Sequence, residues 1–206
     1  MVKEFNILIN GVGGQGVILM SELLGDAAVK EGLKVRGSEI LGMAVRGGSV
    51  TSTIRLGEDV YGPLIPVGKC DVLVGMEPSE TLRGVTYLSK SSLVIINSIP
   101  TIPFTVSIGQ SKYPDLAEIL KILTTAAGRV IKINGNEIAR DSGSLLTINN
   151  VMLGALFGCG NLPIKVKTIK ESIQGRFPSK KAAEVNLKAF ELGYRTCRKL
   201  LKQESK

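Results

Sequence analysis

The sequence predicts an α/β protein: a Rossmann-like, mostly parallel sheet flanked by helices, followed by a helical C-terminal segment. Three observations carry that expectation. Through residues 1–160, short apolar runs alternate with segments of helical period. The first run ends in a glycine loop, Gly11–Gly16, that opens a helix. Beyond residue 160, in the segment 161–206, two helix-period stretches follow, and this basic tail is expected to pack on the same domain.

The elements read in order. Residues 5–10 form a short buried strand, and residues 17–31 a helix with Val17, Met20, Leu24 and Ala27 at helical spacing, stopped by Gly32. Residues 33–40 give a second strand, so strand, glycine turn, helix and strand read as the opening of a parallel sheet. The glycine-rich stretch 41–49 leads into a strand at 49–56, with Val50, Ile54 and Leu56 set against Thr51, Thr53 and Arg55. Residues 71–76 and 92–97 are further strands, and a helix opens at Glu77-Pro78 and runs to about Leu88. Residues 115–127 read as a helix, 129–133 as a strand, and 149–158 as an apolar helix with Asn149-Asn150 as a capping pair. Two helices close the chain, 165–175 and 180–202, with a turn at Arg176-Phe177-Pro178-Ser179.

Composition limits the chemistry. With 206 residues, 44% of them apolar, the chain suits one domain with a sizeable core and is not disordered. No apolar run reaches membrane-spanning length and residues 1–10 lack a secretory pattern, so the expectation is a cytoplasmic protein with no membrane partner. Histidine is absent, which removes Ser-His-Asp and Cys-His nucleophiles and imidazole metal sites. Cys70, Cys159 and Cys197 are far apart in sequence and form no CxxC, so no zinc or iron–sulfur site held by this chain is expected. A sparse, odd set of thiols fits a reducing compartment.

The net charge of +8 has one source. Residues 1–160 hold 14 Lys+Arg against 14 Asp+Glu, whereas 161–206 hold 12 against 4. A solvated Lys-rich helix face accounts for such a tail, as does a contact with an anionic partner. Among partners an acidic protein surface ranks first. Tryptophan is absent, and Phe190 and Tyr194, four apart on the apolar helix face, read as core rather than as base-stacking groups, so no nucleic-acid partner is expected.

Two segments are candidate sites. Gly11-Val12-Gly13-Gly14-Gln15-Gly16 has the GxGxxG spacing between strand and helix, where glycine turns and a helix start can receive an anion. Glu39 stands 23 residues beyond Gly16, about where a dinucleotide unit places its ribose carboxylate. Three readings stay open for the loop: dinucleotide binding, binding of another anion or cofactor phosphate, and close packing alone. The second segment is Arg46-Gly47-Gly48-Ser49, in which an arginine fork and a glycine turn suit a carboxylate or phosphate, or merely lead into the next strand. Glu77 and Glu80 suit a helix N-terminus. Cys70, beside Lys69, reads as a buried thiol.

Six ordered motifs span nearly the whole chain: GVGGQG at 11–16, SEILGMAVRGGSV at 38–50, PLIP at 63–66, DVLVGMEP at 71–78, NVMLGA at 150–155 and NLKAFELGY at 186–194. In this series the chain resembles the gamma-type domain of the thiamine-dependent 2-oxoacid:ferredoxin oxidoreductases, and within them the indolepyruvate (arylpyruvate) branch. The resemblance implies a subunit of a heteromeric enzyme that decarboxylates a 2-oxoacid oxidatively to an acyl-CoA and passes electrons to ferredoxin. It places thiamine diphosphate, magnesium and iron–sulfur clusters in a large alpha subunit, and this chain has neither a thiamine motif nor a cysteine run. It also implies that 11–16 and 38–50 face the partner or cofactor region, where they meet a phosphate group such as that of CoA. No catalytic residue is assigned. The alternatives are a gamma subunit of a pyruvate or 2-oxoglutarate enzyme and an NAD(P)-dependent dehydrogenase, although no Tyr-x-x-x-Lys pair supplies the latter with a proton donor.

Overall fold

The computed structural model describes residues 2–44 and 46–204. Six strands form one sheet in the order β2-β3-β1-β4-β5-β6: β1 (Phe5–Val12), β2 (Val35–Leu41), β3 (Ser49–Leu56), β4 (Val72–Gly75), β5 (Leu93–Asn97) and β6 (Arg129–Ile133). β1, β4, β5 and β6 pair in parallel, while β3 pairs antiparallel with both β1 and β2. The sheet is therefore mostly parallel, as expected. Its opening is not. β2 does not lie beside β1, because the glycine-rich 42–48 connection is short enough to fold β3 back as a hairpin into the gap between them.

Alternation along β1 sends Ile7 and Ile9 to one face and Leu8 to the other. The first face carries the larger core. It is covered by α1 (Val17–Lys30), α5 (Gly135–Ser142), α6 (Ile148–Cys159), α7 (Val166–Arg176) and α8 (Lys180–Glu204). The second face is covered by α4 (Leu116–Ala126) and the tight 3-10 turn 82–87, through Ile119, Leu123 and Leu88. Two four-residue helical turns, α2 (Pro78–Thr81) and α3 (Phe104–Ser107), complete the set. The single helix expected from Pro78 to Leu88 is thus α2 followed by a 3-10 turn, with Gly84 pressed so closely on Leu73 and Leu8 that a Cβ would collide with both.

α6 is the central helix, buried from Ile148 to Gly158. A helix buried on every side must be enclosed by other elements, and α8 closes over it. At the crossing Gly193 faces the Val151 carbonyl, while Gly154 and Gly158 face those of Phe190 and Tyr194; in each case a Cβ would overlap the facing backbone. That approach brings Cys159 and Cys197 to a Cα–Cα distance of 5.7 Å, and they form a disulfide. The reading of three separate thiols is corrected here: helix packing joins two cysteines 38 residues apart, and among the described residues Cys70 is the free one. Phe190 is fully buried between Phe157 and Tyr194, as its spacing implied. Burial of a side chain of that size stabilises the fold by roughly 2–3 kcal/mol. Asn149 and Asn150 do not cap α6. Thr147 occupies the cap position, Asn149 packs on Gly16, and the Asn150 amide donates to Asn186 Oδ1 at 2.7 Å. Among the described residues no helix is long and apolar enough to cross a membrane.

Candidate functional site

The carboxyl ends of β1 and β2 lie at the same edge of the sheet, so the two candidate loops meet. Gly13 N donates to Gly48 O at 2.8 Å, and Gly47 N donates to Gly13 O at 3.1 Å. Neither loop's sequence names the other; the β2–β3 hairpin brings them together. Val45, inside the second motif, lies outside the described residues.

The glycines of the first loop do different work. Gly11 sits where a Cβ would strike Gln15, Met76 and Val17, so it serves packing. Gly16 is the α1 cap residue, left-handed at φ 76° and packed on Asn149, and it brings no side chain to the helix start. Gly14 is also left-handed, at φ 99°, but a Cβ there would meet nothing. Gln15 folds back: its Oε1 accepts from Val12 N at 2.9 Å and its Nε2 donates to Met76 O at 3.2 Å and Thr101 Oγ1 at 3.3 Å. Its amide therefore ties β1 to the ends of β4 and β5 instead of reaching outward. The α1 N-terminus, lacking a side-chain cap, leaves its first N–H groups and partial positive charge beside the Gly13-Gly14 backbone.

Beside this helix start a cleft of about 460 Å³ is lined by Val12, Gly14, Val17, Leu41, Ala44 and Val50. Met43, Leu41 and Ile18 are exposed at its rim. Arg46 is exposed, with no ion pair among the described residues. Ser49 turns inward, and its hydroxyl donates to Glu80 Oε2 at 2.5 Å. Glu39 departs from the dinucleotide pattern. It pairs in register with Ser52 of β3, two strands from β1, and its carboxylate accepts from Ser21 of α1 at 2.9 Å. At about 4.8 Å per strand, the intervening β3 sets Glu39's strand about 10 Å from β1, one strand further out than the dinucleotide pattern requires. The nicotinamide dehydrogenase reading, which combines the GxGxxG spacing with Glu39, loses its ribose carboxylate.

A buried polar cluster under this face was not singled out as a unit in the sequence. Glu77, fully buried at the end of β4, caps α2 by accepting from Glu80 N at 3.0 Å, and it also accepts from Ser79 Oγ, Thr101 N and Tyr113 Oη. Asn97 at the end of β5 accepts from Gly135 N at 3.0 Å and donates to Met76 O at 3.2 Å. A signal existed: Asn97 ends an apolar strand and Glu77 follows one by two residues. Burial, then the hydrogen bond to Glu77, raises the Tyr113 hydroxyl well above its usual range, so it stays a proton-bearing donor. Burial pushes the Cys70 thiol up to about 12, so it is no nucleophile. Among the described residues no group of three or more His, Cys, Asp and Glu could hold a metal ion. With Cys70 buried alone and the other cysteines bonded to each other, the donor set does not fit an iron–sulfur cluster.

The fold and site define a class: a Rossmann-like α/β domain whose open face offers backbone groups, apolar side chains and the exposed Arg46, with no metal-binding group among the described residues. The chain belongs to the pyruvate ferredoxin/flavodoxin oxidoreductase family, whose pattern matches residues 6–196. It is 42% identical over 201 residues to indolepyruvate oxidoreductase subunit IorB of Pyrococcus horikoshii, covering 97% of this chain and 99% of the relative. Its fold is similar to the keto/oxoacid ferredoxin oxidoreductase gamma subunit of Geobacter sulfurreducens, with a TM-score of 0.68, 21% identity and coverage of 94% and 98%. It also resembles part of 2-oxoglutarate:ferredoxin oxidoreductase from Magnetococcus marinus, solved with 2-oxoglutarate, coenzyme A and succinyl-CoA. There the TM-score is 0.74 at 21% identity, and 97% of this chain spans 32% of the larger one.

Proposed function

We propose that this chain is the small subunit of an indolepyruvate (arylpyruvate):ferredoxin oxidoreductase, working with a large alpha subunit that holds thiamine diphosphate, magnesium and the iron–sulfur clusters. The near end-to-end match to the Pyrococcus subunit carries this reading. The reaction cleaves the bond between the 2-oxo carbon and the carboxylate. Carbon dioxide leaves, the acyl group passes to the CoA thiol with release of its proton, and two electrons go to ferredoxin. This chain's own share is binding. The uncapped α1 start, the Gly14 backbone beside it and Arg46 receive a phosphate group of CoA, with the Gly13, Gly47 and Gly48 backbone holding the two loops together, while the apolar cleft receives a less polar part of the same molecule. The exposed apolar rim at Leu41 and Met43 docks on the alpha subunit. A cytoplasmic location is part of the same proposal.

The test is reconstitution. Purified alone, neither chain should reduce ferredoxin with indolepyruvate and CoA, and the mixture should. Turnover by this polypeptide alone would overturn the division of labour, and failure to associate with the large chain would remove the proposal altogether.

A further inference from the structure

The cations of the C-terminal segment fall into two groups. Those of α7 are paired: Lys165 with Glu31, Lys167 with Glu171, Lys170 with Glu191 and Arg176 with Glu22. Those on the outer side of α8 are different. Lys181, Lys188, Arg195, Lys199 and Lys202 are all exposed. At 3.6 residues per turn they fall within about 60° of one another, and the stripe from Lys181 to Lys202 is about 30 Å long. Buried Ala183, Phe190 and Cys197 lie on the opposite side. Lys181, Lys199 and Lys202 have no ion pair among the described residues, while Arg195 pairs loosely with Glu191 at 3.9 Å and the Lys188 ammonium donates to Asp141 O at 2.8 Å.

We infer that this stripe is the docking surface for an acidic carrier protein, the ferredoxin that receives the electrons; the inference rests on the subunit reading above. Charge complementarity selects the partner. The core of a permanent subunit interface is poor in charge, and the apolar rim at Leu41 and Met43 has that character while α8 does not. A row of exposed cations on a rigid helix, three of them without an ion pair among the described residues, suits a transient partner, steered in by opposite charge and released after transfer. Nucleic acid fits less well. The exposed positions of the stripe carry no aromatic side chain on which a base could stack, and Phe190 is in the core.

The experiment uses the reconstituted complex with K181Q/K188Q/K199Q/K202Q in this subunit and, as control, the four matching Lys→Arg changes. Ferredoxin reduction and reduction of methyl viologen, a small cationic dye, are measured at 20 mM and 300 mM salt. The expected result is a KM for ferredoxin raised about 5–20-fold at low salt and converging with wild type at high salt, with viologen turnover unchanged and the arginine variant like wild type. An unchanged KM for ferredoxin overturns the inference, and so does a shift that persists at high salt. Loss of RNA retention in the glutamine variant with ferredoxin kinetics intact would likewise overturn it and assign the stripe to nucleic acid. Viologen reduction separates the two proposals: if it is absent in the wild-type mixture, the subunit reading has failed, not the docking surface.

Discussion

Glycine is used in opposite ways at two places in this molecule. At the α6–α8 crossing, Gly154, Gly158 and Gly193 take ordinary helical backbone angles, and each lies where a Cβ would overlap the facing chain. At the loop edge, Gly14 and Gly47 have positive φ and nothing within reach of a Cβ. The first group lets helices touch, and the contact seals the core. The second lets the backbone turn back and leaves its outer side open. Glycine spacing alone therefore separates neither packing from binding nor one glycine of a motif from the next, since Gly11 and Gly14 lie three residues apart and belong to different groups.

The crossing region should be much the costlier to disturb. The Cys159–Cys197 bond closes a loop with a sequence separation of 38. On the chain-entropy relation its loss costs about 4 kcal/mol. Guanidinium unfolding of C159A/C197A against the wild type should show that loss, and reductant should weaken the wild type but not the variant. A wild type indifferent to reductant would show that the bond contributes little. Next comes Gly193→Ala. Its methyl meets the rigid Val151 carbonyl, so the helices must separate at an expected cost of about 3 kcal/mol. A loss below about 1 kcal/mol in the same measurement would mean that the crossing is not tight.

Much of the architecture was legible in the sequence, and the failures have physical causes. Strands 49–56 and 129–133 agree with the structure residue for residue. The alternation at 49–56, which reads as a half-buried strand, nevertheless understates burial: Ser52, Thr53 and Arg55 are buried as well as Val50, Ile54 and Leu56, because β3 lies inside the sheet between β1 and β2. Strand order was not legible. Whether β3 crosses over or folds back depends on the 42–48 turn and on pairing at long range, to which local periodicity is blind. α5 was missed because only Gly135, Ala139 and Ser142 of its eight residues are buried, and none of these is a large apolar side chain. Within the site, the loops at 11–16 and 46–49 were found from glycine spacing, but the meeting of Gly13 with Gly47 and Gly48 is made of backbone bonds that no side chain announces. The disulfide was hidden for a related reason: the pairing of Cys159 with Cys197 follows from a helix crossing.

A smaller effect tests how α7 is held to α1. The Glu31 carboxylate accepts from Thr168 Oγ1 at 2.6 Å and from Lys165 N at 2.8 Å. The Thr168 hydroxyl, against a desolvation cost and helped by Lys165, holds the carboxyl below its ordinary value of 4.5. A depressed carboxylate contributes stability that is present above the unfolded value and lost as pH falls through the folded one. Glu31→Gln should therefore cost about 1 kcal/mol at pH 7. The gap between variant and wild type should close as pH falls below about 4.5. A gap that is constant from pH 7 to pH 3 would assign the loss to packing instead of charge.

The open loop edge should respond in the reverse sense, with almost no change in stability and a clear change in binding. Arg46 is exposed and has no ion pair among the described residues, so Arg46→Gln should move the unfolding free energy by less than about 0.5 kcal/mol. If the guanidinium meets a CoA phosphate, the substitution removes a charge-assisted hydrogen bond worth about 1.5–3 kcal/mol. In the reconstituted complex the KM for CoA should then rise about 10-fold or more, with the KM for indolepyruvate unmoved. Arg46→Lys should recover only part of the loss, because an ammonium keeps the charge but not the planar fork. Equal KM values for CoA in all three proteins would assign this edge to the partner subunit alone. Gly14 and Gly47 would then resemble the glycines of the helix crossing in purpose, letting two polypeptide surfaces approach, and the contrast between the two regions would reduce to when the contact forms: during folding in one, on assembly in the other.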